Sequence, residues 1–140
     1  MLEYARQRGV EVQNGVAENL SYENESFDFA VLINSICFID NPEMAVKESY
    51  RILKNEEEII IAILDKENRL WSLFSKREEE PVLLACPLFS VPKIRELLEK
   101  NKFRVTQTNQ TLENPATSKI ENPVEGYGKD SFVVIKGVKV

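Results

Sequence analysis

Two apolar runs constrain this chain more than any other feature. Phe27-Asp28-Phe29-Ala30-Val31-Leu32-Ile33 and Glu58-Ile59-Ile60-Ile61-Ala62-Ile63-Leu64 each contain a single polar residue. A strand with one wet face alternates apolar and polar residues, whereas a near-continuous apolar run suits a strand covered on both faces, as in a parallel sheet. Between the runs, Asp40-Asn41-Pro42-Glu43 encodes a helix start: a capping side chain, proline in the first turn and an acid beside the positive end of the helix dipole. Val46, Ser49, Tyr50 and Leu53 follow at helical spacing, with Lys47, Glu48 and Arg51 on other faces, and the helix is predicted to end near Lys54-Asn55. Strand, helix, strand in this order predicts two parallel strands joined by a crossover, hence a layered α/β fold.

The rest of the chain extends that pattern. Leu2 to Arg8 is a short helix stopped by Gly9, and Val10 to Gln13 alternates as a strand that Asn14-Gly15 ends. Val16 to Leu20 is predicted as a loop and Ser21 to Ser26 as a polar turn. Lys66 to Glu80 is predicted as a helix whose Trp71 and Phe74 either pack into the core, the favoured reading, or cover a ligand pocket, and 81 to 87 as irregular. A further helix starts at Ser90-Val91-Pro92, turns Ile94, Leu97 and Leu98 inward and stops at Asn101. Phe103 to Leu112 and Ser131 to Val138 are strands with no helix between them, which predicts antiparallel neighbours at one end of the sheet.

Composition removes several classes of function. The 140 residues suit one domain, and a net charge of −5 without a basic stripe argues against nucleic-acid binding. Histidine is absent and no CxxC spacing occurs, so no metal site is expected, nor a Ser-His or Cys-His nucleophile system. Cys37 and Cys86 each sit in an apolar run and read as packed thiols rather than a disulfide pair. No segment approaches the ~20 apolar residues that cross a bilayer. The N-terminus does not read as a signal peptide, so a soluble cytoplasmic protein without a membrane partner is expected.

The string Gly15-Val16-Ala17-Glu18-Asn19-Leu20-Ser21-Tyr22-Glu23-Asn24-Glu25-Ser26-Phe27-Asp28 resembles the class I S-adenosylmethionine-dependent methyltransferases, and more narrowly their type 11 small-molecule group. In that group an Ala-Glu or Asp-Ala pair follows the third strand and Ser-Phe-Asp opens the fourth. The helix from Pro42, with Glu48-Ser49-Tyr50-Arg51-Ile52-Leu53-Lys54, is similar to the stretch before the family's fifth strand, and the final strand pair matches in position. The resemblance implies a Rossmann-like α/β methyltransferase sheet, in a family whose strand order is 3-2-1-4-5-7-6. This chain then carries strands 3 to 7, the last two antiparallel, and lacks strands 1 and 2: a single partial domain over residues 1–140, truncated at its N-terminus. The family's GxGxG loop and the acid ending its second strand have no counterpart; the GxG at Gly126-Tyr127-Gly128 lies near the other end. Asn55-Glu56-Glu57 replaces the usual Pro-Gly-Gly turn, with Asn55 expected in the left-handed conformation.

The same resemblance supplies candidate site residues. Ala17, through its backbone N–H, and Glu18, through its carboxylate, are implied near the adenine of S-adenosylmethionine. Ile33, Asn34 and Ser35 end a parallel strand, and ligands of open α/β sheets bind outside such ends, where Asn34 could bond the methionine part. Asp65 ends the next strand on that rim; it could orient a substrate amine or simply cap the following helix. Tyr127 could wall the acceptor pocket or fill a turn. The implied function is methyl transfer from S-adenosylmethionine to a small-molecule acceptor. The alternative is a non-catalytic, truncated methyltransferase-like module that self-associates and binds no cofactor. Without its two neighbours the strand at 27–33 becomes an apolar sheet edge, and a homodimer through that edge is expected.

Overall fold

The structure, a computed structural model, describes residues 2–67, 89–111 and 120–140. In chain order these form α1 (Leu2–Gln7), β1 (Phe27–Ile33), a 3-10 turn (Ile36–Phe38), α2 (Pro42–Ile52), β2 (Leu53–Leu64), α3 (Val91–Lys100), β3 (Phe103–Thr111), β4 (Val124–Glu125) and β5 (Phe132–Lys139). The strands make one sheet in the order β1-β2-β5-β3-β4. β1 and β2 run parallel, with Val31 beside Ile60 and Leu32 beside Ile61. β5 is antiparallel to β2 and β3, so the last two long strands are antiparallel neighbours as the sequence predicts. This is the Rossmann-like methyltransferase arrangement of family strands 4, 5, 7 and 6.

The core lies on one face of the sheet. Ile59, Ile61, Ile63, Val133 and Ile135 point to the same side and form a single cluster with Val46 of α2 and Val91, Ile94 and Leu98 of α3. α2 begins where Asn41 caps it, its Oδ1 accepting from Met44 N–H at 3.1 Å, and buries Ala45, Val46, Ser49 and Ile52 at helical spacing. Gly137 of β5 permits that close packing: a Cβ there would sit 3.3 Å from both Ile59 Cγ2 and Phe103 Cβ, so a neighbour would have to give by a few tenths of an ångström. Glu43, in the first turn of α2, ties the two helices together by accepting from Lys47 and from Lys100 of α3, both at 2.8 Å.

Those two lysines, Lys100 foremost through its hydrogen bond, hold the Glu43 carboxyl down at about 2 from the usual 4.5. A carboxyl depressed on folding stabilises the fold above its unfolded value and loses that contribution as pH falls through the folded one. The melting temperature of Glu43→Gln is therefore expected below that of the parent at pH 6, with the difference shrinking between pH 4.5 and about 2. Parallel melting curves for the two proteins across that range would refute the link.

Four sequence expectations change. Val10–Gln13 forms no strand; apart from an isolated bridge between Val16 and Asn19, the stretch after α1 carries no regular pairing. Four residues alternating by sequence are not held extended without a neighbouring ladder. The helix-to-strand junction is tighter than expected, because β2 begins at Leu53 and Glu56, rather than Asn55, takes the left-handed backbone at φ 65°. Cys37 is a half-buried residue of the 3-10 turn and is disulfide-bonded, which corrects its reading as a packed thiol. β1, expected to be covered on both faces, buries only Leu32, and Phe29, Val31 and Ile33 are more than half exposed. The helix expected at 66–80, with Trp71 and Phe74, falls from residue 68 onward outside the described residues, as do Cys86 and Leu112. Among the described residues no helix is long and apolar enough to cross a membrane.

Candidate functional site

The carboxyl ends of the parallel pair β1 and β2 define a rim. Strand β1 stops at Ile33 because Asn34 turns left-handed, φ 48°, while its N–H still donates to Ala62 O at 3.0 Å. Asparagine tolerates that backbone better than most residues, because its short side chain bonds locally. Ser35 then opens the 3-10 turn and Phe38 N–H returns to Ser35 O at 2.9 Å. Asn34 is exposed and Ser35 half-buried, so both face the space beyond the strand end.

Ala17 and Glu18 reach this rim from a different part of the chain. Glu18 Oε1 accepts from Asn41 N–H at 3.1 Å, at the start of α2, which places the loop beside the turn leaving β1. Arg51 holds the same loop. Its Nη1 donates to Tyr22 O at 2.7 Å and Asn24 Oδ1 at 2.9 Å, and its Nη2 to Leu20 O at 2.8 Å. Glu48 orients the guanidinium through a two-pronged pair at 2.9 and 2.8 Å and also accepts Leu20 N–H at 2.8 Å. The hydrogen bond from Arg51 keeps the Glu48 carboxyl below its ordinary range. A Glu-Arg pair three residues apart is visible in the sequence; the three loop groups that Arg51 binds are not.

Asp65 lies on the rim at the end of β2, 2% exposed. Its Oδ1 accepts from Glu67 N–H at 3.1 Å, and its carboxylate also takes the N–H of Val91 at the start of α3. Ser90, the residue before that helix, makes no side-chain cap, so Asp65 fills that role across the gap in sequence. Burial pushes the Asp65 carboxyl up against the pull of these amides. A second buried acid adjoins it: Asp65 N–H donates to Ser131 O at 2.9 Å, and Asp130 is 4% exposed with Oδ1 unbonded. Sequence reading missed Asp130, which looked like part of a polar turn. The signal that finds it is Gln110, whose Oε1 accepts both Lys129 N–H and Asp130 N–H at 2.9 Å and folds the turn inward.

Ala17, Glu18, Ile33, Asn34 and Ser35 thus gather around the end of β1, with Asp65 on the neighbouring strand. Tyr127 does not join them. It follows β4 at the far side of the sheet and lines an outer cleft with Arg95, Glu99 and Lys100 of α3. Three strand spacings separate β1 from β3, about 14 Å.

The residues present fit one side of a nucleoside-type cofactor: a loop whose half-buried acid, Glu18, is held by Asn41 N–H, and a strand end with an exposed amide side chain. Among the described residues no glycine-rich turn faces them. Gly126 and Gly128, both left-handed, lie beside Tyr127, and Gly126 N–H bonds Thr108 O of β3.

Comparison with known proteins agrees with this geometry. Residues 1–61 match a family model described as a methyltransferase domain. The whole chain superposes on a Thermotoga maritima crystal structure, described as a SAM-dependent methyltransferase and possible histamine N-methyltransferase, with a TM-score of 0.94 and 43% identity; the match covers 69% of that chain. An uncharacterized protein of Methanocaldococcus jannaschii is 29% identical over 143 residues, again spanning this whole chain and 69% of its own length. A SAM dependent methyltransferase from Aquifex aeolicus shares the fold at TM-score 0.68 and 15% identity, over 99% of this chain and 61% of that one.

Proposed function

We propose that this chain, which belongs to the class I S-adenosylmethionine-dependent methyltransferase family, takes part in methyl transfer from S-adenosylmethionine to a small-molecule acceptor. The observation that carries the reading is the rim itself: a parallel strand pair whose carboxyl ends gather Asn34, Ser35, Ala17 and Glu18. In this reading Glu18 and the Ala17 amide lie toward the adenine, and Ile33, Asn34 and Ser35 toward the methionine portion. S-adenosylmethionine, when bound, supplies a methyl group already activated by its sulfonium. The chain's own residues then have positioning work to do, which accounts for a site without histidine or an activated nucleophile. Asp65 takes part as the brace that fixes the rim to α3. An amine-bearing acceptor is favoured by the description of the Thermotoga relative, and the two buried acids beside the rim suit a cationic group.

Binding is tested on this chain alone with S-adenosylhomocysteine. At ten times its dissociation constant, ligand raises stability by about 1.4 kcal/mol, or roughly 4 °C in melting temperature for a domain of this size. Asn34→Gly weakens the shift, and because glycine takes the left-handed backbone freely and the lost side chain is exposed, the unliganded melting temperature stays almost unchanged. No shift at millimolar ligand would sink the reading for this chain and leave the alternative of a non-catalytic module.

A further inference from the structure

The second buried acid at the rim is unlike the first. Two backbone amides, of Glu67 and Val91, already bond to the Asp65 carboxylate. Asp130 Oδ1 is shut off from water and accepts no hydrogen bond, alone in this among the buried side-chain oxygens and nitrogens of the described residues. Such an atom costs free energy unless a donor completes it, and in a native protein it calls for an explanation. The backbone that carries it is fixed from both sides. Gln110 of β3, itself 6% exposed, accepts the N–H groups of Lys129 and Asp130 at 2.9 Å. One residue on, Ser131 O accepts Asp65 N–H at 2.9 Å, which ties the turn to the end of β2. The acid is thus in place before a ligand arrives. Tyr127, Gly128 and Lys129, immediately before it, are exposed, so Asp130 stands one residue below the surface of the rim.

We propose that Asp130 anchors the acceptor through a cationic nitrogen that is not the atom methylated, so that the acceptor is a small amine carrying a second, nucleophilic group. The proposal rests on the methyl-transfer reading for the identity of the bound molecule. A cation is the partner that a buried carboxylate oxygen takes most strongly. A metal ion needs several oxygen ligands, and the described residues gather no group of three or more metal-binding side chains. An ammonium brings three donors of its own and needs only one carboxylate. The chemistry then separates anchor from target. Methyl transfer spends a lone pair of the acceptor: the bond to the methyl carbon forms, the carbon–sulfur bond breaks with its electrons left on sulfur, and any proton on the reacting atom passes to water. An ammonium held by a carboxylate has no lone pair to give. The sheet leaves room for the separation. β5 is two strands from β1, about 10 Å across the sheet, so an acceptor held at Asp130 can present its far end beside Asn34.

The test uses the 140-residue chain without cofactor, isotope-labelled at its aspartate carboxyl carbons. Three probes of one shape divide the question. Tyramine carries an ammonium and a phenol, phenethylamine the ammonium alone, and tyrosol the phenol with a hydroxyl in place of the ammonium. Tyramine and phenethylamine are expected to move the Asp130 carboxyl resonance at millimolar concentration, and tyrosol to leave it where it is. Asp130→Asn is expected to weaken both amines at least about 10-fold, the loss of one charge-assisted contact. The same variant keeps the melting temperature of the free chain within about 5 °C of the parent, because the Oδ1 it alters has no partner in the fold. The parent's resonance decides the matter if the variant fails to fold. Tyrosol binding as tightly as tyramine, a resonance that neither amine moves, unchanged tyramine affinity in Asp130→Asn, or an equal shift with magnesium chloride would each overturn the proposal. Its failure is distinct from failure of the methyltransferase reading, which the S-adenosylhomocysteine titration decides.

Discussion

Ile61→Ala is expected to lower the unfolding free energy by about 3–4 kcal/mol, in the upper half of the range for isoleucine-to-alanine changes in cores. Ile61 is fully buried at the middle of β2, beside Leu32 of β1 and Ile135 of β5, and faces the two helices. Its neighbours belong to three strands and two helices fixed by their own packing, so they cannot close over the lost atoms. A chain of this length has a total stability of order 10 kcal/mol, so the loss is about a third of it. Val31→Ala, one strand away on the opposite face, is the internal contrast. It deletes atoms that are already half in water and is expected to cost under about 1 kcal/mol. Urea unfolding of both variants measures the difference. Equal losses would mean that the face carrying Val31 is covered in solution.

Lys139→Ala should cost about 3 kcal/mol, for a different reason. Lys139 ends β5 with only 5% of its side chain exposed. Its ammonium donates to Leu53 O at 2.7 Å, lies 4.6 Å from the centre of the Tyr50 ring, and stands 3.6 Å from Glu25. Tyr50 in turn donates to Val140 O at 3.0 Å and meets Phe103 edge-on. Truncation leaves a buried carbonyl without a partner and removes the aliphatic stem that fills the space beneath the ring. Lys139→Met keeps most of the stem and loses only the polar contacts, so about half of the cost should return. If Met and Ala are equally destabilising, the ammonium contacts alone set the effect and the packing argument fails.

Much of the sheet was legible because its central strands announce themselves. The runs at 27–33 and 58–64 could be read as parallel neighbours from their unbroken apolarity and from the capped helix between them, which supplies the crossover, although the structure leaves the second face of β1 exposed. The antiparallel end followed from two strands with no room for a helix between them. The rim residues Asn34 and Ser35 were legible for the same reason, since they end a strand whose direction was known. The strand expected at 10–13 was not secured by its alternation, because pairing needs a neighbour that four residues cannot specify. Whether Tyr127 walls a pocket or fills a turn was not legible either, because its flanking glycines do not say beside which strand the turn lies; the order of strands places it next to β4.

The sequence by itself determined which segments become strands and helices, and that the first two long strands run the same way. Those properties follow from local periodicity and from the chain connecting one element to the next. Only the tertiary structure decided that Arg51 would bind the loop at 20–24, that Asp65 would cap a helix twenty-six residues further on, and that Lys139 would be buried under Tyr50. Each of these joins groups far apart in the chain. A hydrogen-bonding side chain carries no record in sequence of which distant carbonyl or amide the fold will bring to it.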